Sequence, residues 1–341
     1  MQSQPHDLTD DAVATAVSEG WDVPATAASY LPMGYGSHHW AVEDAGGGLW
    51  FASVDVVPLD DRDGGVFRLT AALGVAVAAR DSGLSFVVAP LRTRDGALLR
   101  QLRGGYAIAL YPFVNGRAGG FGDELDPAEG TELTGLLRSL HGVPPASCDT
   151  TWGSVGVETF AVQGRDRLEA ALAGVNHQQW QGPYGEHLRR LLARHTDDVD
   201  LAFRRHDELV AGAGSQTDRL VLTHGEPHPG NVIRTPEGPV LVDWDTALLG
   251  PPERDLWLLD TRTGGKASDE YTALTGRPLR SELLSGYQLG WWLADVAVFV
   301  ELLRHATEET ADTAWSWEAL DGTLHALASP PTRSTASRTT R

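Results

Sequence analysis

The sequence predicts an α+β fold made of two lobes, a small amino-terminal lobe built on an antiparallel sheet and a mainly helical carboxy-terminal lobe. Three observations predict it. Short apolar segments separated by turn residues fill the first third of the chain, stretches with helical spacing fill most of the remainder, and a glycine-rich segment over 115–120 suits a hinge between them. We place the lobes at 1–112 and 113–328, and expect the Pro/Ser/Thr/Arg-rich segment 329–341 to be a disordered tail.

The amino-terminal lobe is predicted to contain a five-stranded sheet with one helix inserted after the third strand. Residues 1–20 predict a helix capped near Thr9, and strands are predicted over 27–31, 38–42 and 49–54. Apolar positions at helical spacing predict a helix over 66–80, and the segments 84–88, 97–103 and 106–112 predict further strands.

The carboxy-terminal lobe is predicted to be helical on either side of one strand-and-loop segment. A leucine stripe predicts a helix after residue 127, and helices are predicted over 164–212, interrupted near 182–183, and over 281–328. Residues 220–245 instead alternate short apolar runs with polar loops, which indicates strands.

Composition excludes several classes of protein. The 341 residues are 42% hydrophobic and 21% charged, which is typical of a globular chain. The net charge of −19 argues against nucleic-acid binding, which needs a basic face. We expect no membrane span, because the apolar stretch 289–303 is interrupted by Asp295 and Glu301, and the first residues lack the features of a secretory signal. With a single cysteine, Cys148, these features favour a cytoplasmic protein.

The segment 221–245 carries the chemistry. A polar loop follows the strand that ends near Leu222, and a hairpin then returns the chain to an aspartate pair. Because the two mouths of a short hairpin lie close together, we expect Glu226, Asn231 and Asp243 to converge. Carboxylate and amide oxygens are the ligands that Mg²⁺ prefers, and a carboxylate beside the metal can activate a hydroxyl for phosphoryl transfer. A zinc site of the His-Glu-x-x-His type is excluded, because the prolines at 227 and 229 forbid its helix.

Three motifs resemble those of aminoglycoside phosphotransferases and choline kinases, and the spectinomycin phosphotransferases most of all. His-Gly-Glu-Pro-His-Pro-Gly-Asn at 224–231 is similar to their His-Gly-Asp-x-x-x-x-Asn loop. Val-Asp-Trp-Asp at 242–245 is similar to their Ile-Asp-Trp/Phe segment, and Pro-Pro-Glu-Arg-Asp-Leu at 251–256 to their Pro-x-x-x-Asp-Leu motif. Three motifs in the right order and spacing are a strong signal. The resemblance implies a two-lobed, protein-kinase-like fold.

The resemblance also implies roles for individual residues. Glu226 would be the catalytic carboxylate, Asn231 and Asp243 would hold Mg²⁺, His224 and Asp255 would brace the loop, and His228 would lie near the transferred phosphate. Asp245 would be a second metal contact or a helix cap. The implied nucleotide-binding residues are Gly34, Gly36 and Ser37 of the glycine-rich turn, together with Ser53, Tyr111 and Phe113.

Asp245 and two residues on the last helical stretch are candidates for acceptor binding. Trp291 and Asp295 could line a pocket in which the carboxylate attracts an ammonium group, although core packing is the ordinary task of a tryptophan.

The sequence departs from the family pattern at two places. Glu226 stands where an aspartate is expected, and its extra methylene moves the carboxylate by about an ångström. The third strand lacks the family's lysine: Ser53 occupies that position, Lys266 is the only lysine of the chain, and the predicted helix over 66–80 has no acidic partner. Magnesium, backbone amides or an arginine such as Arg68 would have to hold the nucleotide instead.

Two hypotheses follow. The first is a kinase that moves the γ-phosphate of ATP or GTP to a hydroxyl of a small polar or cationic acceptor, such as an aminoglycoside-like antibiotic or an amino alcohol, and so could confer antibiotic resistance. The second is a catalytically impaired kinase fold that binds a small molecule or a partner. The Asn231 and Asp243 pair favours the enzyme, acting as a monomer or homodimer.

Overall fold

The computed structural model describes residues 1–34, 36–57, 64–148, 154–177, 180–211, 213 and 219–328. The chain divides into two compact units, the first made of 1–159 with 213–284 and the second of 160–212 with 285–341. The first unit contains both the sheet of the predicted small lobe and all three motifs. The lobe boundaries at 1–112 and 113–328 stay a prediction, and the predicted tail lies outside the described residues.

The strands, in chain order, are β1 (Ala25–Leu31), β2 (His38–Asp44), β3 (Leu49–Val56), β4 (Arg100–Leu102), β5 (Tyr106–Pro112), β6 (Arg117–Ala118), β7 (Val221–Thr223), β8 (Val232–Thr235), β9 (Gly238–Leu241) and β10 (Leu248–Gly250). The helices are α1 (Asp10–Gly20), α2 (Gly65–Asp81), α3 (Pro127–His141), α4 (Arg165–Ala173), α5 (Gly185–Val210), α6 (Glu253–Thr263), α7 (Lys266–Thr275), α8 (Ser281–His305) and α9 (Ala311–Ala328).

The five-stranded antiparallel sheet of the first unit has the order β1-β2-β3-β5-β4. The predicted sheet and the helix after its third strand are therefore confirmed. Residue alternation gives the sheet two faces. One face packs its apolar side chains against α1, where Thr9 accepts a hydrogen bond from the Ala12 amide as the N-cap. The other face carries Ala107 and Ala109, which pack with Leu73 and Val77 of α2.

Some strand predictions were wrong in extent. Residues 84–88 form a turn that touches β9 through a single bridge, Val87 to Leu241, because only two backbone hydrogen bonds form there. The predicted strand over 97–103 shortens to β4, which pairs with β5 alone. The glycine-rich segment 115–120 contains β6, which pairs with β8 of the hairpin. A Cβ at Gly116 would lie 2.6 Å from the Arg234 carbonyl oxygen, so glycine permits this close pairing.

The second unit is helical. Its core is formed by α4, α5, α9 and residues 285–305 of α8, with Leu192, Phe203, Leu293 and Leu320 among the buried side chains. The predicted interruption near 182–183 is the connection between α4 and α5. By length and composition α8 is long and apolar enough to cross a membrane. The core helix of a globular protein passes the same test, and 44% of the apolar stretch of α8 is buried inside the protein.

Helix α3 packs against β7 and α6 and begins at a capping box. The Asp126 carboxylate accepts the Glu129 amide at 2.8 Å, and the Glu129 carboxylate accepts the Asp126 amide at 3.1 Å. The cap satisfies two amides that have no partner within the helix. The leucine stripe then places Leu133, Leu137 and Leu140 in the interior.

Replacing the cap should destabilise the first unit. We expect Asp126→Ala to lower the free energy of unfolding by about 1 kcal/mol, because the Glu129 amide loses its acceptor. Urea unfolding measures the change, and Glu124→Ala, which removes an exposed acid two residues earlier, is the matched control. Equal effects of the two substitutions would contradict the capping role.

Candidate active site

The loop after β7 is held by a buried carboxylate. Asp255 of α6 is fully buried, and its Oδ2 accepts the His224 amide at 2.9 Å while its Oδ1 accepts the Gly225 amide at 2.6 Å. Burial alone would raise the pKa of Asp255, but the hydrogen bond and charge of His141, with the charge of Arg254, hold that pKa below its usual value. Asp255 is therefore ionised where the loop begins.

Two further buried side chains support Asp255. His141, the last residue of α3, pairs through Nε2 with Asp255 Oδ2 at 3.0 Å and through Nδ1 with the Tyr271 hydroxyl of α7 at 2.8 Å. Burial and the charge of Asp255 raise the pKa of Tyr271, so its hydroxyl keeps its proton. Three helices thus meet behind the loop.

His224 links the loop to the strand opposite. Its Nδ1 accepts the Glu226 amide at 3.2 Å, its Nε2 donates to the Val242 carbonyl at 2.8 Å, and its ring packs 4.5 Å from that of Trp244. Burial lowers the pKa of His224 to about 4, so the ring is neutral near pH 7. The structure thus places both predicted bracing residues, His224 and Asp255, against the loop backbone.

Gly225 is required by both conformation and space. Its φ of 104° lies where side chains are strained, and a Cβ would approach Arg254 Nη1 and Thr246 Oγ1 to 2.5 Å.

Glu226 and Asn231 are joined across the loop. A 3₁₀ turn over Pro229–Asn231 buries the asparagine, whose Nδ2 donates to the Glu226 carbonyl at 3.0 Å. The Asn231 carbonyl accepts the Val242 amide at 3.1 Å. This bond brings the start of the hairpin against its end, so Asn231 lies beside Val242, the residue that precedes Asp243.

Asp243 and Asp245 follow β9, and we call the place where their carboxyls approach Glu226, Asn231 and Asp55 the recess. Both residues are exposed, yet desolvation raises the pKa of both carboxyls, that of Asp243 to about 7. The charges of Glu226 and Asp55 also raise the pKa of Asp243, and the charges of Asp243 and Asp55 that of Asp245. The structure therefore brings Glu226, Asn231 and Asp243 together. Asp243 has a φ of 67°, in the left-handed region.

The alternative that Asp245 caps a helix is wrong. Among the described residues, the next element after it is β10, and α6 begins only at Glu253.

Asp55 is a residue of this site that sequence reasoning missed. It lies on β3 two positions after Ser53 and accepts a hydrogen bond from Ser37 Oγ at 2.6 Å. Desolvation raises the pKa of Asp55, and the hydrogen bond from Ser37, which acts in the opposite direction, offsets only part of that rise. The period-two alternation of β3, which puts residues 53 and 55 on one face, is the signal that could have found it.

Other predicted nucleotide-binding residues surround this face. Ser53 pairs with Ala109 across the sheet, and Tyr111, opposite Phe51, has its pKa raised by burial and by the charges of Asp55, Asp243 and Asp245. Gly34 and Gly36 have φ values of 70° and 92°, as a tight turn requires. Phe113 is exposed, just past the end of β5.

His228 packs its ring 4.9 Å from Phe121. Burial, with the nearby charge of Arg262, lowers the pKa of His228 to about 4. It is therefore an uncharged hydrogen-bonding group at neutral pH.

The predicted acceptor residues belong to the second unit. Trp291 and Asp295 lie one turn apart on α8, both half-buried. Burial raises the pKa of Asp295 to about 7, although a hydrogen bond from Trp291 acts to lower that pKa.

The oxygen donors of the recess fit a magnesium ion. In the described part of the chain no group of three or more His, Cys, Asp or Glu side chains can hold a metal by itself. Asn231, Asp243 and Asp245 instead offer a few hard oxygens, which matches the habit of Mg²⁺ of taking few protein ligands and the rest from phosphates and water. The raised pKa values of the two aspartates arise without a described basic side chain among their causes, so a cation would relieve a real repulsion.

The fold and this site define a small-molecule kinase. The chain belongs to the phosphotransferase enzyme family, whose model matches residues 66–291. It is homologous to phosphotransferases with hydroxyl acceptors.

Individual relatives agree with this assignment. The chain is 30% identical to protein StrN of Streptomyces griseus over 274 aligned residues. The aligned region covers 76% of this chain and 77% of that protein. Its fold is similar to a spectinomycin phosphotransferase solved with ADP and spectinomycin, at a TM-score of 0.71 and 16% identity over 95% of this chain and 99% of that one. It is also similar to a microcompartment-associated aminopropanol kinase, at a TM-score of 0.63 and 15% identity over 93% and 96% of the two chains.

Magnesium should stabilise the protein more as the pH rises. A raised carboxyl pKa means that the folded protein binds a proton more tightly than the unfolded chain does. In the metal-free protein, the stability that protonated Asp243 contributes is therefore lost as the pH rises from the pKa of the unfolded chain through about 7. Cation binding needs the deprotonated form. We therefore expect the rise in Tm caused by millimolar Mg²⁺ to be larger near pH 8 than near pH 5.

Differential scanning fluorimetry measures this difference, with Asp243→Asn as the variant that should lose it and Asp321→Asn, a half-buried acid of the second unit, as control. A Tm shift that is independent of pH, or that survives in Asp243→Asn, would contradict the site.

Proposed function

We propose that the protein transfers the γ-phosphate of ATP or GTP to a hydroxyl of a small polar or cationic acceptor. The observation that carries the proposal is the convergence of Glu226, Asn231 and Asp243 at the mouths of one hairpin. Solved relatives bound to ADP or GDP support a nucleotide as the donor. A cytoplasmic enzyme of this kind would have access to both nucleotides, and phosphorylation of an antibiotic acceptor would confer resistance.

The residues of the recess would divide the work. Mg²⁺ held by Asn231, Asp243 and Asp245 would supply the positive charge that a triphosphate needs. Glu226 would accept the proton of the acceptor hydroxyl and orient that oxygen toward the phosphorus. The amides of Gly34 and Gly36 would donate to phosphate oxygens, and the Ser37 hydroxyl would do so by exchanging its bond to Asp55 for one to phosphate. Neutral His228 would donate a hydrogen bond at the transferred group.

The glutamate is compatible with its task because the loop around it is fixed. The Glu226 amide donates to His224 Nδ1, and its carbonyl accepts from both Asn231 Nδ2 and the His228 amide, the latter at 2.8 Å. Three hydrogen bonds define the backbone from which the longer side chain extends. The carboxylate can therefore reach a reproducible position despite one additional methylene.

Nucleotide binding would depend on the metal rather than on a lysine. No described basic side chain is among the causes that shift the pKa values of Asp55, Asp243 or Asp245. Asp55 adds a further carboxyl near Asp243 and Asp245. The divalent cation would therefore offset more negative charge here than in a site with a lysine.

The acceptor site would include Trp291 and Asp295. A half-buried carboxyl beside an indole suits an ammonium group. The carboxylate would pair with the ammonium charge, and the indole ring would pack against the carbon atoms next to the ammonium nitrogen. Loss of a proton by Asp295 is favoured when a cation binds, since its pKa of about 7 reflects desolvation.

Glu226→Gln should remove turnover while leaving nucleotide binding intact. The amide keeps the shape of the side chain but cannot accept the proton, so we expect kcat to fall by about 100-fold or more with the KM for nucleotide nearly unchanged. Consumption of Mg-ATP and Mg-GTP against a panel of spectinomycin, aminoglycosides and amino alcohols measures turnover, and isothermal titration measures nucleotide binding.

Glu237→Gln, in the turn between β8 and β9, is the control and should retain full activity. Nucleotide consumption that is equally fast in Glu226→Gln would exclude the catalytic role. The absence of both turnover and nucleotide binding in the unmodified protein would reject the kinase and favour a binding protein.

Asp295→Asn should weaken binding of cationic acceptors only. We expect the acceptor KM to rise by about tenfold because a charge-assisted contact is lost, with the nucleotide KM unchanged. Initial rates against acceptor concentration measure it, with Asp321→Asn as control. An equal rise for an uncharged acceptor, or no rise at all, would contradict the assignment.

A further inference from the structure

Arg254 of α6 makes contacts with two separate segments of the active site. Its Nη1 donates to Thr223 Oγ1 at 3.0 Å, and its Nη2 donates to the Thr246 carbonyl at 2.8 Å. Its Nε forms an ion pair with Glu158 Oε2 at 3.3 Å. All three nitrogens of one planar group are thus engaged, each by a different part of the chain.

The two contacted threonines flank the chemistry. Thr223 immediately precedes the loop that carries Glu226, and Thr246 immediately follows the pair Asp243 and Asp245. Thr246 Oγ1 also donates to the His224 carbonyl at 3.1 Å, which joins the two segments a second time. The guanidinium therefore lies at the point where the segment of the proposed base meets the segment of the proposed metal ligands.

The arrangement is buried and charge-balanced. The side chains of Arg254 and Glu158 are only 13% and 12% exposed. A buried guanidinium needs a counter-charge, and Glu158 is itself positioned by its amide, which donates to the Leu249 carbonyl at 2.8 Å. The space for the guanidinium exists because residue 225 has no Cβ.

We propose that Arg254 is a positioning residue that sets the separation between Glu226 and the carboxylates of Asp243 and Asp245. The inference rests on the proposed phosphotransfer and assigns a role to a residue outside the reacting groups. Phosphoryl transfer needs the base and the metal ligands held in register, and misplacement by about an ångström can lower a rate by about 100-fold.

The geometry requires an arginine. The two Nη atoms donate in different directions from one rigid plane, so a single side chain reaches both segments at once. A lysine at this position would keep the charge and the ion pair with Glu158, but one ammonium nitrogen cannot occupy both Nη positions.

The test compares Arg254→Lys and Arg254→Met with Arg219→Met. Arg219 is a matched control, because it is partly buried, contacts Glu253 of the same helix and the Pro278 carbonyl, and touches neither segment. We expect both substitutions at 254 to lower kcat by about 10- to 100-fold with less than about a threefold change in the KM for nucleotide. The control should keep the original kcat.

Amide hydrogen exchange supplies a readout that does not depend on turnover. In the ligand-free protein we expect peptides covering 223–226 and 242–247 to exchange faster in both Arg254 variants and to be unchanged in Arg219→Met. If the unmodified protein transferred no phosphate to any acceptor, the proposed function would fail, whereas the exchange data would still decide whether Arg254 holds the two segments.

Two results would overturn the inference. One is an Arg254→Lys protein with the original kcat and exchange rates, which would show that charge alone suffices. The other is an equal loss of kcat in Arg219→Met, which would indicate general destabilisation. Should neither Arg254 variant fold, Glu158→Gln takes their place: it weakens the ion pair that orients the guanidinium, and unchanged kcat and exchange in that variant would also overturn the proposal.

Discussion

Two backbone amides, those of His224 and Gly225, donate to the buried carboxylate of Asp255, and the positions of the loop residues follow from this interaction. A buried carboxylate with strong donors on both oxygens is stable, whereas losing one donor would leave charge unsatisfied in the interior. The loop backbone therefore cannot drift. The side chain of Glu226 extends from a fixed starting point, and the carbonyl of Asn231 keeps its bond to the opposite strand.

The charge distribution of the recess is the second constraint. Desolvation raises the pKa of Asp55 on β3 and of Asp243 and Asp245 after β9, and the charge of Asp55 raises the pKa of both members of that pair, so their common ionisation is unfavourable. In a kinase with a lysine on its third strand, the protein supplies part of the neutralising charge. In the proposed mechanism a divalent cation would supply that charge instead, so metal, nucleotide and protein would be linked more closely than in a site that carries its own cation.

Much of this architecture could be predicted from sequence because its signals are local. The glycine-rich turn, the helix cap at Thr9 and the three motifs near 224, 243 and 255 each act within a few residues. The strand expected over 84–88 failed because apolar composition alone does not provide a pairing partner. Asp55 and Arg254 were missed as site residues for a related reason: their importance comes from neighbours distant in sequence, namely Ser37 and Asp243 for the former, Thr223, Thr246 and Glu158 for the latter.

The left-handed backbone at Asp243 restricts which amino acids this position can accept. A φ of 67° is comfortable for glycine and tolerable for asparagine and aspartate, whose short polar side chains accept that region, but it strains branched and bulky residues. The conformation thus disfavours most other amino acids before any question of chemistry arises. Of the three residues that suit it, aspartate alone brings a negative charge, so the backbone shape and the proposed metal site would favour the same residue independently.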